Sequence, residues 1–325
     1  MTGVPNGGPR AVLPTPIALL FPGQGVQRPG MGRNLYERYP AARRVLVRAE
    51  DVLGLPVRRL CFEGPLEELN RTEVIQPCLM AVCWAAYEVY RDAYGLGGVQ
   101  VMAGHSLGEF TALAAAGAIS WETALHLVVE RGRIMANAAV DRPGAMIAIV
   151  GLDEGRVEEI RQDASAFGRL YMANRNAENQ FVLSGEMRAI EESERLALAA
   201  GARRALILTT IMLPAHSPLM EAAGNAFKSV LDRLPIEMPE FPILANATGQ
   251  AVASINDLRQ ELTNHLLRPV DWARTMVSLR RMQVRTVVEL GPGRVLASLA
   301  AKHLPGVETW NAEELFIDFV DAAPA

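Results

Sequence analysis

Gly104-His105-Ser106-Leu107-Gly108 is the segment of this 325-residue chain best suited to covalent chemistry. A serine hydroxyl is a weak nucleophile until a base takes its proton, and its attack on a carbonyl needs donors for the oxyanion that forms. The flanking residues give the pentapeptide a structural address. Val99-Gln100-Val101-Met102-Ala103 reads as a buried strand, and Leu107 to Gly117 places Phe110, Leu113, Ala114 and Gly117 at helical spacing. A strand that turns into a helix through Gly-x-Ser-x-Gly is the nucleophile-elbow pattern. Glycine suits both flanks because no Cβ can sit beside so tight a turn. The hydroxyl then points out of the sheet at the positive end of a helix. That is acyl-transfer chemistry, given a base and an oxyanion hole elsewhere in the chain.

Five histidines are available as the base. His105 adjoins the serine, where neighbouring side chains diverge, and His126 lies inside a helical stretch. His216 stands in Leu213-Pro214-Ala215-His216-Ser217-Pro218, just ahead of a helix that Ser217 can cap with Pro218 at its first position. The helix dipole there disfavours the imidazolium and keeps a neutral base available near pH 7. A histidine in that position either acts as the base or simply helps to cap the helix. His303 with Asp271 would give the rival order Ser…Asp…His, although His303 sits at a helix C-terminus, where a cation suits the dipole. Arg131 falls in line with Ala124, Leu127, Val128, Met135 and Ala138. A guanidinium inside an apolar stripe is costly unless an anion pairs with it, supplied either by the protein or by a substrate carboxylate. Arg133 faces elsewhere. Gly23-Gln24-Gly25 closes the first strand, and the Gln24 N–H is a candidate oxyanion donor beside that of Leu107. The glycine-rich turn lacks the Gly-x-Gly-x-x-Gly spacing of a dinucleotide site.

The elements that must hold these residues follow in order. Ile17–Phe21 reads as a buried strand, with helices at about 33–52 and 76–94, the elbow at 99–117, and a helix from Trp121 to about Ala138 capped by Ser120. This is a parallel sheet covered by helices. The middle then reads strand (144–150), helix (153–166), two short strands (170–173 and 180–184) joined by the turn-rich 174–179, helix (187–200) and strand (204–213). That β-α-β-β-α-β order is ferredoxin-like. The large unit resumes with helices near 218–234, 256–267 and 270–282, a strand at 286–290 and a last helix. The expected fold is therefore α/β, with a flexible tail at 1–16, a large subdomain at 17–142 and 214–320, and an inserted small one at 143–213.

Composition narrows the function classes. The chain is 50% hydrophobic and 21% charged, with a net charge of −4, which suggests neither a nucleic-acid nor a membrane partner. No apolar run reaches about 18 residues, and the start lacks the pattern of a signal peptide. Cys61, Cys78 and Cys83 fit no metal spacing, so they read as reduced core residues of a cytoplasmic protein.

With these pieces in order, the chain resembles the malonyl-CoA:acyl-carrier-protein transacylase family, which includes free-standing acyltransferases of fatty acid and polyketide synthesis. The matching stretches are Phe21 to Gln27, Gln76-Pro77, Gly104 to Phe110, Glu130 to Met135, Gly144 to Met146, Pro214 to His216 and Glu289 to Val295. The resemblance implies an α/β-hydrolase-like large subdomain with an inserted ferredoxin-like one. It implies Ser106 as nucleophile, His216 as base, the N–H groups of Gln24 and Leu107 as the oxyanion hole, and Arg131 for the carboxylate of a malonyl-type group. Gln76, His105 and Ala215 are expected in the substrate pocket. A backbone carbonyl near Pro269-Val270 replaces a triad acid, and the position aligned there is His265, where members often carry Gln or Asn. Ala215 is small where some members place Phe to exclude α-branched extenders, which leaves room for a bulkier acyl group.

The implied activity is ping-pong transfer of malonyl, or a related carboxylated extender, from CoA to the phosphopantetheine thiol of an acyl carrier protein. No metal or bound cofactor is required, acyl-CoA is the substrate, and a monomer is expected. Two other readings stand beside it: an editing hydrolase that strips acyl groups from carriers with the same Ser106 and His216, and an inactive docking module.

Overall fold

The computed structural model describes residues 12–316. Ten strands run through it: β1 (Ile17–Phe21), β2 (Val99–Gly104), β3 (Ala145–Val150), β4 (Leu170–Ala177), β5 (Gln180–Gly185), β6 (Arg204–Ile207), β7 (Ile243–Leu244), β8 (Val270–Asp271), β9 (Thr286–Glu289) and β10 (Glu308–Asn311). They form two five-stranded sheets, in the orders β10-β9-β1-β2-β7 and β6-β3-β5-β4-β8. The first is parallel throughout. Its central strand Ile-Ala-Leu-Leu-Phe is buried at every position, as a strand must be when helices cover both faces. Alternation along β1 sends Leu19 and Phe21 into a core with the helix Thr72–Tyr94, while Ala18 and Leu20 meet Trp272, Met276, Leu296 and Leu299 on the other face.

The second sheet is antiparallel from β6 to β4, with β8 added in parallel on β4. The chain runs β3, helix Glu154–Ala164, β4, β5, helix Met187–Ala199, β6, which is the ferredoxin-like order. The structure is thus α/β, with an α/β-hydrolase-like parallel sheet and a ferredoxin-like second sheet. Ala145, Ile147 and Ile149 pack under the helices Glu154–Ala164 and Met187–Ala199. Met146 and Ala148, pointing the other way, face the core on one side of the first sheet. That period of two builds the wall of the functional cleft.

Several boundaries depart from the sequence expectation. Residues 174–177 are strand, not turn, and the hairpin tightens to Glu178-Asn179. Pairing with β5 on one side and β8 on the other overrides the local turn preference of Asn-Arg-Asn, at the cost of two register irregularities. The strand expected over 204–213 ends at Ile207, because the Ile211 N–H turns back onto the Leu208 carbonyl. Within the expected tail at 1–16, residues 12–16 are tied to the sheet. Leu13 is buried, the Pro14 carbonyl accepts from Thr286 Oγ1 and the Pro16 carbonyl from the Arg285 N–H. Residues 1–11 of that tail, and the stretch from 317 to the end, lie outside the described residues. Among the described residues no helix is long and apolar enough to cross a membrane, and no group of three or more His, Cys, Asp or Glu is placed to hold a metal. Cys61, Cys78 and Cys83 are buried free thiols.

Candidate active site

The pentapeptide forms the elbow. β2 ends at Gly104 and the helix Gly108–Ala115 begins four residues later. A Cβ on Gly104 would stand 2.0 Å from the Gly108 backbone, and one on Gly108 would stand 2.0 Å from the Phe21 carbonyl oxygen. Both contacts are with backbone and cannot yield, so glycine is required at each position. Ser106 itself has φ +49°, a left-handed conformation that costs about 1–2 kcal/mol for a residue with a side chain. Asn246 holds it there. Its Oδ1 accepts from the Ser106 N–H at 2.7 Å, and its Nδ2 donates to the Gly104 carbonyl at 2.8 Å. The Asn246 N–H donates in turn to the buried carboxylate of Glu109 at 3.2 Å.

Ser106 Oγ lies 2.8 Å from His216 Nε2 across 110 residues of chain. His216 Nδ1 faces the Arg268 carbonyl at 3.2 Å, so the proton sits on Nδ1 and leaves Nε2 a lone pair toward the serine. This carbonyl belongs to Arg268 and not to His265, the residue expected from the alignment. Residues 264–267 form a turn, Arg268 is a bend ahead of Pro269, and strand resumes at Val270. Ser217 caps the following turn as expected, accepting from the Leu219 N–H. The main force on the base is nevertheless burial. Desolvation first, then the neighbouring His265 and Arg131, hold His216 well below the usual histidine range.

The loop Pro22–Gly25 abuts the elbow so closely that a Cβ on Gly23 would meet the His105 carbonyl oxygen at 2.5 Å. Among the described residues neither the Gln24 nor the Leu107 backbone N–H has a hydrogen-bond partner. A cavity of about 320 Å³ opens here, with Gln24, His105, Ser106, Ala215 and His216 on its wall. His105 contributes through Nε2, 2.9 Å from Asn176 Oδ1, with its ring beside Trp272.

Arg131 is 1% exposed and reaches the serine hydroxyl. Nη1 donates to Gln76 Oε1 at 2.7 Å, and Nη2 lies 3.3 Å from Ser106 Oγ and 3.4 Å from His265 Nδ1. The guanidinium stands 5.6 Å from the centre of the Phe110 ring, and its Nε is buried without a partner. No carboxylate among the described residues lies within ion-pair distance of it. Burial pulls it down to about 9, which leaves it protonated at neutral pH. Gln76, expected on the pocket wall, is fully buried behind it. Its amide braces Arg131 on one side and donates to Thr72 Oγ1 on the other.

The rival triad does not assemble at the serine. His303 Nδ1 meets the Leu299 carbonyl and lines a different cavity, while Asp271 caps the helix Trp272–Arg281. His126 is exposed. Sequence reasoning did not single out Asn246, Glu109 or Arg268. The first two act through long-range contacts, and the third acts through a carbonyl that any residue type could supply.

A left-handed serine beside a neutral histidine, with two amides free among the described residues and a buried cation close by, is an arrangement able to carry acyl transfer. The chain matches the family model described as acyl transferase domain over residues 18–315. It is 37% identical over 289 residues to the malonyl CoA-acyl carrier protein transacylase of Bacillus subtilis, covering 88% of this chain and 90% of that protein. The crystal structure of an acyl-carrier-protein S-malonyltransferase from Bartonella henselae superposes with a TM-score of 0.87 at 36% identity, covering 92% of this chain and 96% of that one. A malonyl-transacylase solved in complex with its type II PKS acyl-carrier protein gives a TM-score of 0.87 at 33% identity, covering 94% and 99%. The chain belongs to the malonyl CoA-acyl carrier protein transacylase family and is an acyltransferase.

Proposed function

We propose that the protein moves a malonyl group, or a related carboxylated extender, from CoA to the phosphopantetheine thiol of an acyl carrier protein through an acyl-Ser106 intermediate. The observation that carries the acyl class is the Arg131 guanidinium, buried beside Ser106 Oγ with no carboxylate among the described residues within ion-pair distance. A planar cation held by neutral partners suits an anionic acyl tail, which it would grip through two parallel hydrogen bonds.

In this reading His216 Nε2 takes the Ser106 proton as Oγ attacks the thioester carbonyl. The Arg268 carbonyl holds the Nδ1–H and supports the imidazolium that forms. The oxyanion rests on the Gln24 and Leu107 N–H groups, each worth about 3 kcal/mol to the transition state. CoA leaves as its thiol with the proton from His216, and the carrier thiol attacks the acyl-serine by the reverse path. Side chains and backbone amides of the chain carry every step, with acyl-CoA as substrate and no bound cofactor invoked. The small Ala215 beside the base leaves room for a branch on the acyl group. The same reading keeps residues 143–213 as an inserted unit within a larger one at 17–142 and 214–320, in a monomer working in the cytoplasm.

The test is intact mass of a holo carrier protein incubated with enzyme and malonyl-CoA. The carrier is expected to gain one malonyl group. Release of free malonate without carrier loading would establish the editing hydrolase instead.

A further inference from the structure

Arg131 is held by acceptors that carry no charge, and one of them is an imidazole. Three facts define His265. It is 3% exposed. Its Nδ1 lies 3.4 Å from Arg131 Nη2. Its Nε2 lies 3.2 Å from the Ser106 carbonyl oxygen and 3.2 Å from Glu109 Oε2. A guanidinium can only donate, so Nδ1 must present its lone pair and the proton must reside on Nε2. The ring therefore stands between the buried acid and the buried cation: it accepts from Arg131 and donates to the Ser106 carbonyl, while Glu109 Oε2 lies close by without a hydrogen-bond partner. It is wedged against Phe110, whose ring centre is 4.9 Å away. The aligned role of orienting His216 does not occupy it, because the Arg268 carbonyl does that.

We propose that neutral His265 is a positioning residue for Arg131. It aims the guanidinium at the acyl pocket and, by its own width, keeps Glu109 from pairing with that charge. This rests on the reading of Arg131 as the carboxylate ligand. Were Glu109 in direct contact, the protein would neutralise the cation itself and an incoming carboxylate would have to displace it. An imidazole gives the fork a direction while leaving its charge for the substrate. The Nε2–H contact with the Ser106 carbonyl ties the same ring to the backbone of the nucleophile.

The experiment compares His265→Leu and His265→Gln with the unmodified full-length enzyme, reading kcat and KM for acylation by malonyl-CoA and by acetyl-CoA. A leucine fills space but cannot accept from Arg131, whereas a glutamine amide offers an acceptor and donors. His265→Leu is expected to lower kcat/KM for malonyl-CoA by about ten- to hundredfold, the value of one hydrogen bond to a charged group, mainly through KM. Acetyl-CoA offers Arg131 no carboxylate and should lose only the share owed to the missing donor to the Ser106 carbonyl, so the malonyl-to-acetyl ratio of kcat/KM should fall by about tenfold. His265→Gln should recover most of the malonyl rate. An unchanged malonyl-to-acetyl ratio in His265→Leu, or no recovery in His265→Gln, overturns the proposal. If the unmodified enzyme shows no preference for malonyl, the reading of Arg131 fails first, and that result is distinct. Nitrogen NMR of histidine-labelled enzyme gives a second test that needs no variant. It should report His265 neutral with the proton on Nε2, and a proton on Nδ1 would refute the assignment.

Discussion

Replacing Arg131 by methionine separates charge from volume at the centre of the site. The guanidinium is almost fully buried, its acceptors are Gln76 Oε1, Ser106 Oγ and His265 Nδ1, and no carboxylate among the described residues pairs with it. A substrate carboxylate about 4 Å from it, at the effective dielectric of such a site, gains about 4 kcal/mol. Losing that attraction lowers kcat/KM for malonyl-CoA about a thousandfold. An acetyl group carries no charge, so its rate should change by less than about tenfold, the remainder reflecting the lost contact between Arg131 and Ser106 Oγ. Stability should move little. The variant loses an unneutralised buried charge and leaves Gln76 Oε1 without its donor, opposing effects of about 1–3 kcal/mol each. The assay is single-turnover acylation with each thioester, read by mass, alongside a denaturant titration. Equal losses for both thioesters in a folded variant would mean that Arg131 is structural. Undiminished malonyl transfer would refute the charge argument outright.

Three further outcomes follow from the geometry. Because burial holds His216 well below 6.5, the base stays neutral through the neutral range. The plot of kcat/KM against pH should therefore be flat from about pH 8 to 6.5 and fall only at more acid values, and a limb centred above 6.5 would contradict this. Asn246→Ala leaves the Ser106 N–H and the Gly104 carbonyl unpaired, at a cost of about 2 kcal/mol in urea unfolding and a slower acylation step; unchanged stability would rule out the clamp. Glu289 is buried at the start of the helix Val295–His303 and, chiefly by desolvation, is raised to about 7 from 4.5. The folded protein holds that proton more tightly than the unfolded chain, so this contribution to stability is full below about pH 4.5 and fades as pH rises through about 7. Glu289→Gln should lessen the loss of stability between pH 6 and 8, and an identical pH slope in the variant would contradict that.

What could be read in the sequence was local. Gly-x-Ser-x-Gly declares itself because the clash a Cβ would make arises within a few residues of the turn or from the strand that the turn crosses. Arg131 was visible as a charge interrupting an apolar stripe, and the ferredoxin-like order as an alternation of elements. What could not be read depends on distant partners. β7 and β8 are two residues each and exist only because β2 and β4 present free edges to them. Asn174-Arg175-Asn176 looks like a turn by composition and becomes strand when paired on both sides. The carbonyl that orients His216 carries no side-chain signature, so alignment pointed to His265, three residues early. The dipole argument expects a neutral His216, and in the structure burial is the larger force in that direction.

The account stands on one covalent event, attack by Ser106 Oγ with His216 as base. Intact mass and peptide mapping after brief exposure to malonyl-CoA test it directly. The account predicts a single malonyl adduct on Ser106, discharged on adding a holo carrier protein and absent in Ser106→Ala. An adduct on another residue, or carrier loading that persists in Ser106→Ala, would contradict it.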